Sequence, residues 1–359
     1  MSAHEILIAI MAVFAILGAL DRILGNRFGL GQEFENGILA MGSLAMAMIG
    51  IICLAPVLAN ILKPVVVPVY NFLGADGAMF AGTILACDMG GGALAKELTS
   101  DAQAAALGGV ITGSMLGATV VFTIPVAMGI LQESDRPFLA KGILCGVVTV
   151  PIGVLVGGLV AGFPLLMVLR NLIPIVLIAL IIALGLWKFE KGMIKGFGLF
   201  GKGIITLITV GLVCAIVEAL TGFVIIPGLA PISEGFETVG AIAIVLAGAF
   251  PLVYAVTKLL KKPLLKLGKV LGVNDTAAAG LIASLANSIA TFDMMKNMDK
   301  RGKVVNVAFA VSAAFVFGDH MGFTAGFAPE MLPAVILGKL AGGISAVVVA
   351  LLLTRKHAA

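Results

Sequence analysis

The chain has 359 residues, 60% of them hydrophobic and 12% charged, with 46 glycines and a formal net charge of +4. A soluble domain needs roughly 25% charged residues to wet its surface. Half that share, at a mean hydropathy of +1.17, excludes a soluble enzyme, a disordered chain and a nucleic-acid binder, and leaves an all-α polytopic membrane protein.

Charge-free apolar runs mark the crossings, each needing about 20 residues. The first is Ile6–Leu20. Glu5 precedes it and Asp21-Arg22 follow, so it reads as a span rather than a cleaved signal peptide. Asn36–Leu62 is the second. Asp76–Leu98 then departs from the pattern: it begins with an acid and breaks at Asp88-Met89-Gly90-Gly91-Gly92. Successive glycines cost a helix about 1 kcal/mol each relative to Ala. Ala102–Gln132, Gly142–Leu169, Asn171–Trp187, Gly203–Val217 and Thr238–Thr257 follow as spans. A second broken segment, Asp275–Met298, is interrupted at Asn287-Ser288, and Val304–Gly318 and Leu340–Thr354 complete the series. Nine spans are expected, or eleven if the broken segments also cross.

The two halves resemble each other at a shift near 200 residues. Gly29-Leu30 matches Gly228-Leu229, Pro64 matches Pro263, Ala81-Gly82 matches Ala279-Gly280, Ser114 matches Ser312 and Lys141 matches Lys339, all in order along the chain. An internal duplication follows, with repeat 1 over 1–161, a linking helix and loop over 162–198, and repeat 2 over 199–359.

The distribution of Lys and Arg sets the topology. If both broken segments cross, the 23 basic residues divide almost evenly. If each enters and leaves on one side as a re-entrant hairpin, only Lys63, Lys96, Arg170 and Lys339 fall on one side and the other nineteen on the opposite side. The second arrangement obeys the positive-inside rule. It gives nine spans, an external N-terminus, a cytoplasmic C-terminus and two inverted repeats of four helices plus a hairpin (76–98 and 275–298). A leg of about 11 residues reaches roughly 16 Å, the bilayer midplane. The polar tips are therefore expected to meet in mid-membrane, the common plan of secondary transporters.

The twenty-residue run Arg301–His320, the Asp88-Met89-Gly90-Gly91 break and the Ala286-Asn287-Ser288-Ile289 stretch resemble the ethanolamine permease family of bacterial ethanolamine-utilisation operons (EutH). The resemblance spans nearly the whole chain and implies ethanolamine uptake across the bacterial inner membrane. It assigns no binding residues, so the site rests on physics.

Ethanolamine, with an amine resembling that of Lys (pKa about 10.4), is mostly a cation at neutral pH. Its ammonium needs an anionic or aromatic partner and its hydroxyl a hydrogen-bonding pair. Asp88 is a carboxylate near mid-bilayer, where a charge marks function by default, although a carboxylate can also cap the glycine turn. Asn287 and Ser288 are hairpin caps or hydroxyl partners. Asp319 and His320, in the outer third of their span, bind substrate, carry protons or stabilise a kink at Gly318. Gly90, Gly91 and Gly92 form the hairpin break.

The remaining features read blandly. Cys53, Cys87, Cys145 and Cys214 sit in apolar stretches without metal-ligand spacing. The Lys258, Lys261, Lys262, Lys266 and Lys269 cluster suits anionic lipid headgroups. Gly113/Gly117, Gly153/Gly157 and Gly338/Gly342 permit close helix packing, within one protomer or between two in a homodimer. No HExxH or GxSxG is present, so the reading requires no enzyme chemistry, cofactor, metal or nucleic acid. The competing readings are a channel-like facilitator and an ion-coupled symporter of another small amine or amino acid.

Overall fold

The computed structural model describes residues 2–354, with the side chains of 260–262, 264, 265 and 267 outside the description. Every regular element among them is a helix, as lipid requires of a chain that must satisfy its own backbone. Among the described residues, seven helical stretches are long and apolar enough to cross a membrane.

Helix α1 (Ala3–Ile23) opens on a capping box in which Ser2 and Glu5 satisfy each other's backbone N–H groups. Near its end the buried Asp21 carboxylate accepts the Phe28 and Gly31 amides at 3.0 and 2.9 Å. That turn leads into α2 (Leu30–Phe72), 43 residues containing Pro56, Pro64 and Pro68. Such a helix extends about 64 Å at 1.5 Å per residue, twice the hydrocarbon thickness. Its prolines each remove a ladder hydrogen bond.

The first broken segment doubles back. Helices α3 (Ala78–Ile84) and α4 (Gly92–Leu98) leave its two ends in contact: the Thr99 hydroxyl donates to Asp76 Oδ2 at 2.8 Å, while Asp76 Oδ1 accepts the Ala78 amide. Helix α5 (Ala102–Ile130), α6 (Glu133–Val160) and α7 (Leu165–Thr221) follow. The 57 residues of α7 exceed any bilayer, and Phe189 (φ −133°, ψ 42°) divides it into two arms. A Cβ on Gly185 would lie 2.8 Å from Met193 Sδ. Those residues would be about 12 Å apart in a straight helix, so the bend is sharp. The expected Asn171–Trp187 and Gly203–Val217 runs occupy the two arms.

Helix α8 (Ile232–Leu271) carries the basic cluster near its C-terminus, with Lys258, Lys266 and Lys269 exposed. The side chains of Lys261 and Lys262, and residues 355–359 with the C-terminus, lie outside the described residues. Helices α9 (Asp275–Ala286) and α10 (Ser288–Met294) form the second doubled-back segment. Its ends meet where the Asn274 amide donates to Asp299 Oδ1 at 2.8 Å and Asn274 Nδ2 to the Asn297 carbonyl at 2.9 Å.

The expected continuous span Val304–Gly318 is not continuous. Helix α11 (Lys300–Ala313) stops, and α12 (Asp319–Phe327) starts after five irregular residues. Phe315 has φ +63°, an outlier for a bulky side chain. The break satisfies other backbone groups: the Phe315 and Phe317 amides donate to the Ser284 and Leu285 carbonyls at 3.0 and 2.8 Å. Those carbonyls belong to the last turn of α9, where no intrahelical donor remains. Helix α13 (Leu332–Leu353) completes the fold.

Packing relies on small residues. A Cβ on Gly338 would lie 2.7 Å from the Gly153 carbonyl oxygen, and one on Gly157 3.1 Å from that of Ala334. The glycine pairs of α6 and α13 therefore face each other within one chain. Outward-facing side chains include Ile16, Leu39, Ile181 and Ile244, as a lipid-facing surface requires.

Candidate functional site

Two interruptions meet to make the site. In the first doubled-back segment the chain leaves α3 through extended Leu85 and Ala86 and turns at Gly90, whose φ is +94°. Only this glycine of the three takes a left-handed conformation; Gly91 and Gly92 are helical. A Cβ on Gly92 would press to 2.8 Å on the Phe327 ring, so Gly92 serves close packing. The turn presents Asp88 with its side chain 14% exposed.

Beside it, α5 widens into π-helical turns over Ala106–Gly117 and Thr119–Thr123. Such bulges recur at functional sites because they redirect backbone groups. Gly117 admits the Leu85 carbonyl where any Cβ would collide. The second interruption, Ala314–Gly318, places Asp319 and His320 in the first turn of α12, where the helix dipole favours a carboxylate. His320 Nε2 stands 3.8 Å from Asp88 Oδ1, beyond direct hydrogen bonding. Asp319 and His320 thus face the tip of the first segment instead of lying in the outer third of an unbroken span. The helix break, of which the sequence reading offered only a kink at Gly318, accounts for the difference.

Lys339 joins them. Charge counting assigns it to the sparsely basic side of the membrane with Lys63, Lys96 and Arg170, but in α13 it is buried, 1% exposed. Its Nζ donates to the Ser114 carbonyl and lies 3.0 Å from His320 Nδ1. A lysine inside an apolar helix is expensive and functional by default, and that signal was available in the run Leu332–Leu353. Phe315 packs edge-on to Phe122 and tilted against His320, with centroids 5.4 and 5.1 Å apart. Nothing in the sequence singled out either phenylalanine.

A cavity of about 880 Å³ opens from this cluster. Asp88, Asp319 and His320 line it, Phe122 and Phe315 flank them, and its wall continues along the second arm of α7 to exposed Lys195 and Lys202. Neither carboxylate has a lysine or arginine within salt-bridge distance among the described residues. Cys87, Asp88 and His320 also hold potential ligand atoms within 4.8 Å of one another. The Lys339 ammonium on the other imidazole nitrogen opposes a metal cation there.

Asn287 and Ser288 stand elsewhere. Asn287 Oδ1 caps the Ile289 amide at 2.8 Å, and the buried Ser288 hydroxyl has no hydrogen-bond partner among the described residues. Neither is among the residues lining the cavity.

The fold and this cluster define a polytopic helical membrane protein with a charged cavity where broken helices meet. The chain belongs to the family described as "Ethanolamine utilisation protein, EutH", whose model matches residues 3–353. It is 59% identical over 356 residues to the "Probable ethanolamine permease EutH" of Listeria monocytogenes, covering 99% of this chain and 95% of the relative. Identity is 48% to the protein of the same description in Escherichia coli, over 99% and 97%. It is 51% to "Uncharacterized protein YxeR" of Bacillus subtilis, over 100% and 97%. No solved structure matches the chain.

Proposed function

We propose that the protein is an inner-membrane permease that takes up ethanolamine, binding its ammonium between Asp88 and Asp319 at the closed end of the cavity. The observation that carries this reading is a pair of carboxylates with no lysine or arginine partner among the described residues of a helical membrane protein. With Lys339 charged and His320 neutral, the cluster holds a formal charge of −1. One alkylammonium neutralises it. The description of the Listeria and Escherichia relatives as probable ethanolamine permeases supports the same substrate.

The reading includes a membrane arrangement. The two arms of α7 and the α11–α12 pair count as separate crossings, so nine spans surround two re-entrant hairpins, each clasped at its own open end. The first hairpin enters from outside and the second from the cytoplasm, as inverted repeats. The cavity, bordered by Lys195 and Lys202 of the cytoplasmic side, is then the inward-open access path. Alternating access follows when the second hairpin closes it and the first releases the outer side.

The test is uptake of labelled ethanolamine into proteoliposomes, with and without imposed H⁺ or Na⁺ gradients. Saturable uptake with counterflow supports a permease, and non-saturating flux would indicate a channel. Stimulation by a gradient would identify a symporter. Topology is tested separately: a cysteine replacing Ala102 should react with an impermeant thiol reagent in whole cells, and one replacing Lys266 should not. Both positions are exposed and all four native cysteines are buried, so background labelling should be low. The reverse pattern would sink the hairpin arrangement.

A further inference from the structure

We propose that Lys339 is a positioning residue which holds His320 in its Nε2–H tautomer, and that the resulting N–H beside Asp88 makes the site select a vicinal amino alcohol over a plain alkylamine. The inference rests on the substrate reading above for its second half only.

The first half follows from donor and acceptor identities. A lysine ammonium has three N–H donors and no acceptor. Lys339 Nζ uses one on the Ser114 carbonyl and stands 3.0 Å from His320 Nδ1. With the ammonium charged, that nitrogen accepts, and the single proton of the neutral ring sits on Nε2. The arrangement is rigid: Lys339 and His320 are 1% and 3% exposed, and the π-helical run containing Ser114 is buried. Holding one nitrogen in order to define the other is the usual means of orienting a functional histidine.

Nε2–H then faces Asp88 Oδ1 across 3.8 Å, too far to bond it. The gap suits a bridging guest. The gauche form of an N–C–C–O chain brings its nitrogen and oxygen to within about 3 Å of each other. With hydrogen bonds of about 2.7–3.0 Å on each side, the guest ammonium can donate to Asp88 while its hydroxyl oxygen accepts from Nε2–H. An alkylamine of the same length leaves that buried N–H unanswered. A site built to bond a hydroxyl rejects an analogue lacking it far more strongly than an apolar pocket can, by up to roughly 10⁴-fold.

Two measurements on the full-length protein in lipid decide the matter. The first is solid-state ¹⁵N NMR of histidine-labelled protein, with the His320 signals assigned by their loss in His320→Gln. The wild type should show Nε2–H, and Lys339→Met should shift the ring toward Nδ1–H, donating to the vacated Ser114 carbonyl. Nδ1–H in the wild type, or an unchanged spectrum in Lys339→Met, would overturn the positioning role. The second is competition by ethanolamine and ethylamine for the same site. The wild type should prefer ethanolamine by roughly a hundredfold or more, and Lys339→Met should lose most of that ratio while still binding amines. An equal ratio in both proteins would overturn the selectivity claim. If the wild type binds neither amine, the substrate reading fails and the NMR result still decides the tautomer. Should Lys339→Met not insert, His320→Gln and His320→Phe carry the second test. Gln can turn its carbonyl to Lys339 and its N–H to the guest, so it should keep part of the preference that Phe loses; equal ratios would reject the idea.

Discussion

The two doubled-back segments are built alike and equipped differently. Both are clasped at their open ends by an Asp or Asn: Asp76 with Thr99 in the first, Asn274 with Asp299 in the second. Both pack a leg glycine on the next helix at matching positions, since Gly82 lies against Gly108 and Gly280 against Asn306, 198 residues further on in each case. At the tips the likeness ends. The first presents Asp88 to the cavity through a left-handed glycine turn. The second is closed by Asn287, which spends its side chain on capping α10. The clasp and the leg glycine recur, but the charged chemistry falls to one tip and the helix interruption facing it.

That contrast can be broken at four positions. The largest effect is expected from Asp88→Asn, which keeps the side chain's size and shape but removes the charge. Neutralising one partner of a desolvated ion pair costs several kcal/mol, so ethanolamine affinity in proteoliposomes should drop about a hundredfold or more. The defect should be plainest in acid medium, because the freely permeating neutral amine falls tenfold per pH unit there. Unchanged affinity in well-inserted protein would move the ammonium to Asp319.

Next is Gly90→Ala. A positive φ costs an L-residue about 1–2 kcal/mol, and the new Cβ would lie 2.3 Å from the Ile51 side chain. Thermal unfolding in detergent should report the loss, together with reduced uptake from a displaced Asp88. Wild-type behaviour would show that the tip can turn without its left-handed residue.

Asn287→Ala tests the other tip. Losing an N-cap costs about 1 kcal/mol, while Asn287→Asp should cap nearly as well. Stability should fall for Ala alone, with ethanolamine affinity the same in both; a selective loss of affinity would bring the second tip into the site. The smallest change is expected for Ser288→Ala. Removing a buried hydroxyl that has no partner is neutral or slightly stabilising. A clear fall in uptake would assign that hydroxyl to the substrate in another state of the cycle.

Class, the long apolar helices and the two breaks were legible in the sequence because lipid imposes a length and a polarity on every crossing, and a run of glycines or an Asn-Ser pair violates both in plain view. Asp88 was legible for the same reason, as a charge where charge is costly. For the interruption at Ala314–Gly318 the sequence offered only a kink at Gly318. The four residues before that glycine are apolar, and the break is held by a pair of hydrogen bonds to Ser284 and Leu285, 31 and 32 residues back in the chain. Lys339 was visible as a letter but misassigned, because a count of charges by segment cannot distinguish a lysine at a membrane surface from one turned inward onto Ser114 and His320.

The sequence by itself therefore determined that this is a helical membrane protein with two interrupted segments, and an acid at the first break. Only the tertiary structure decided which groups meet that acid: His320 at 3.8 Å, Lys339 behind it, and Asn287 away from the cavity. The reason is physical. Hydropathy and helix breaking act along the chain over a few residues, whereas a buried polar cluster is assembled from segments some 230 to 250 residues apart, by the cost of leaving buried donors and acceptors unpaired.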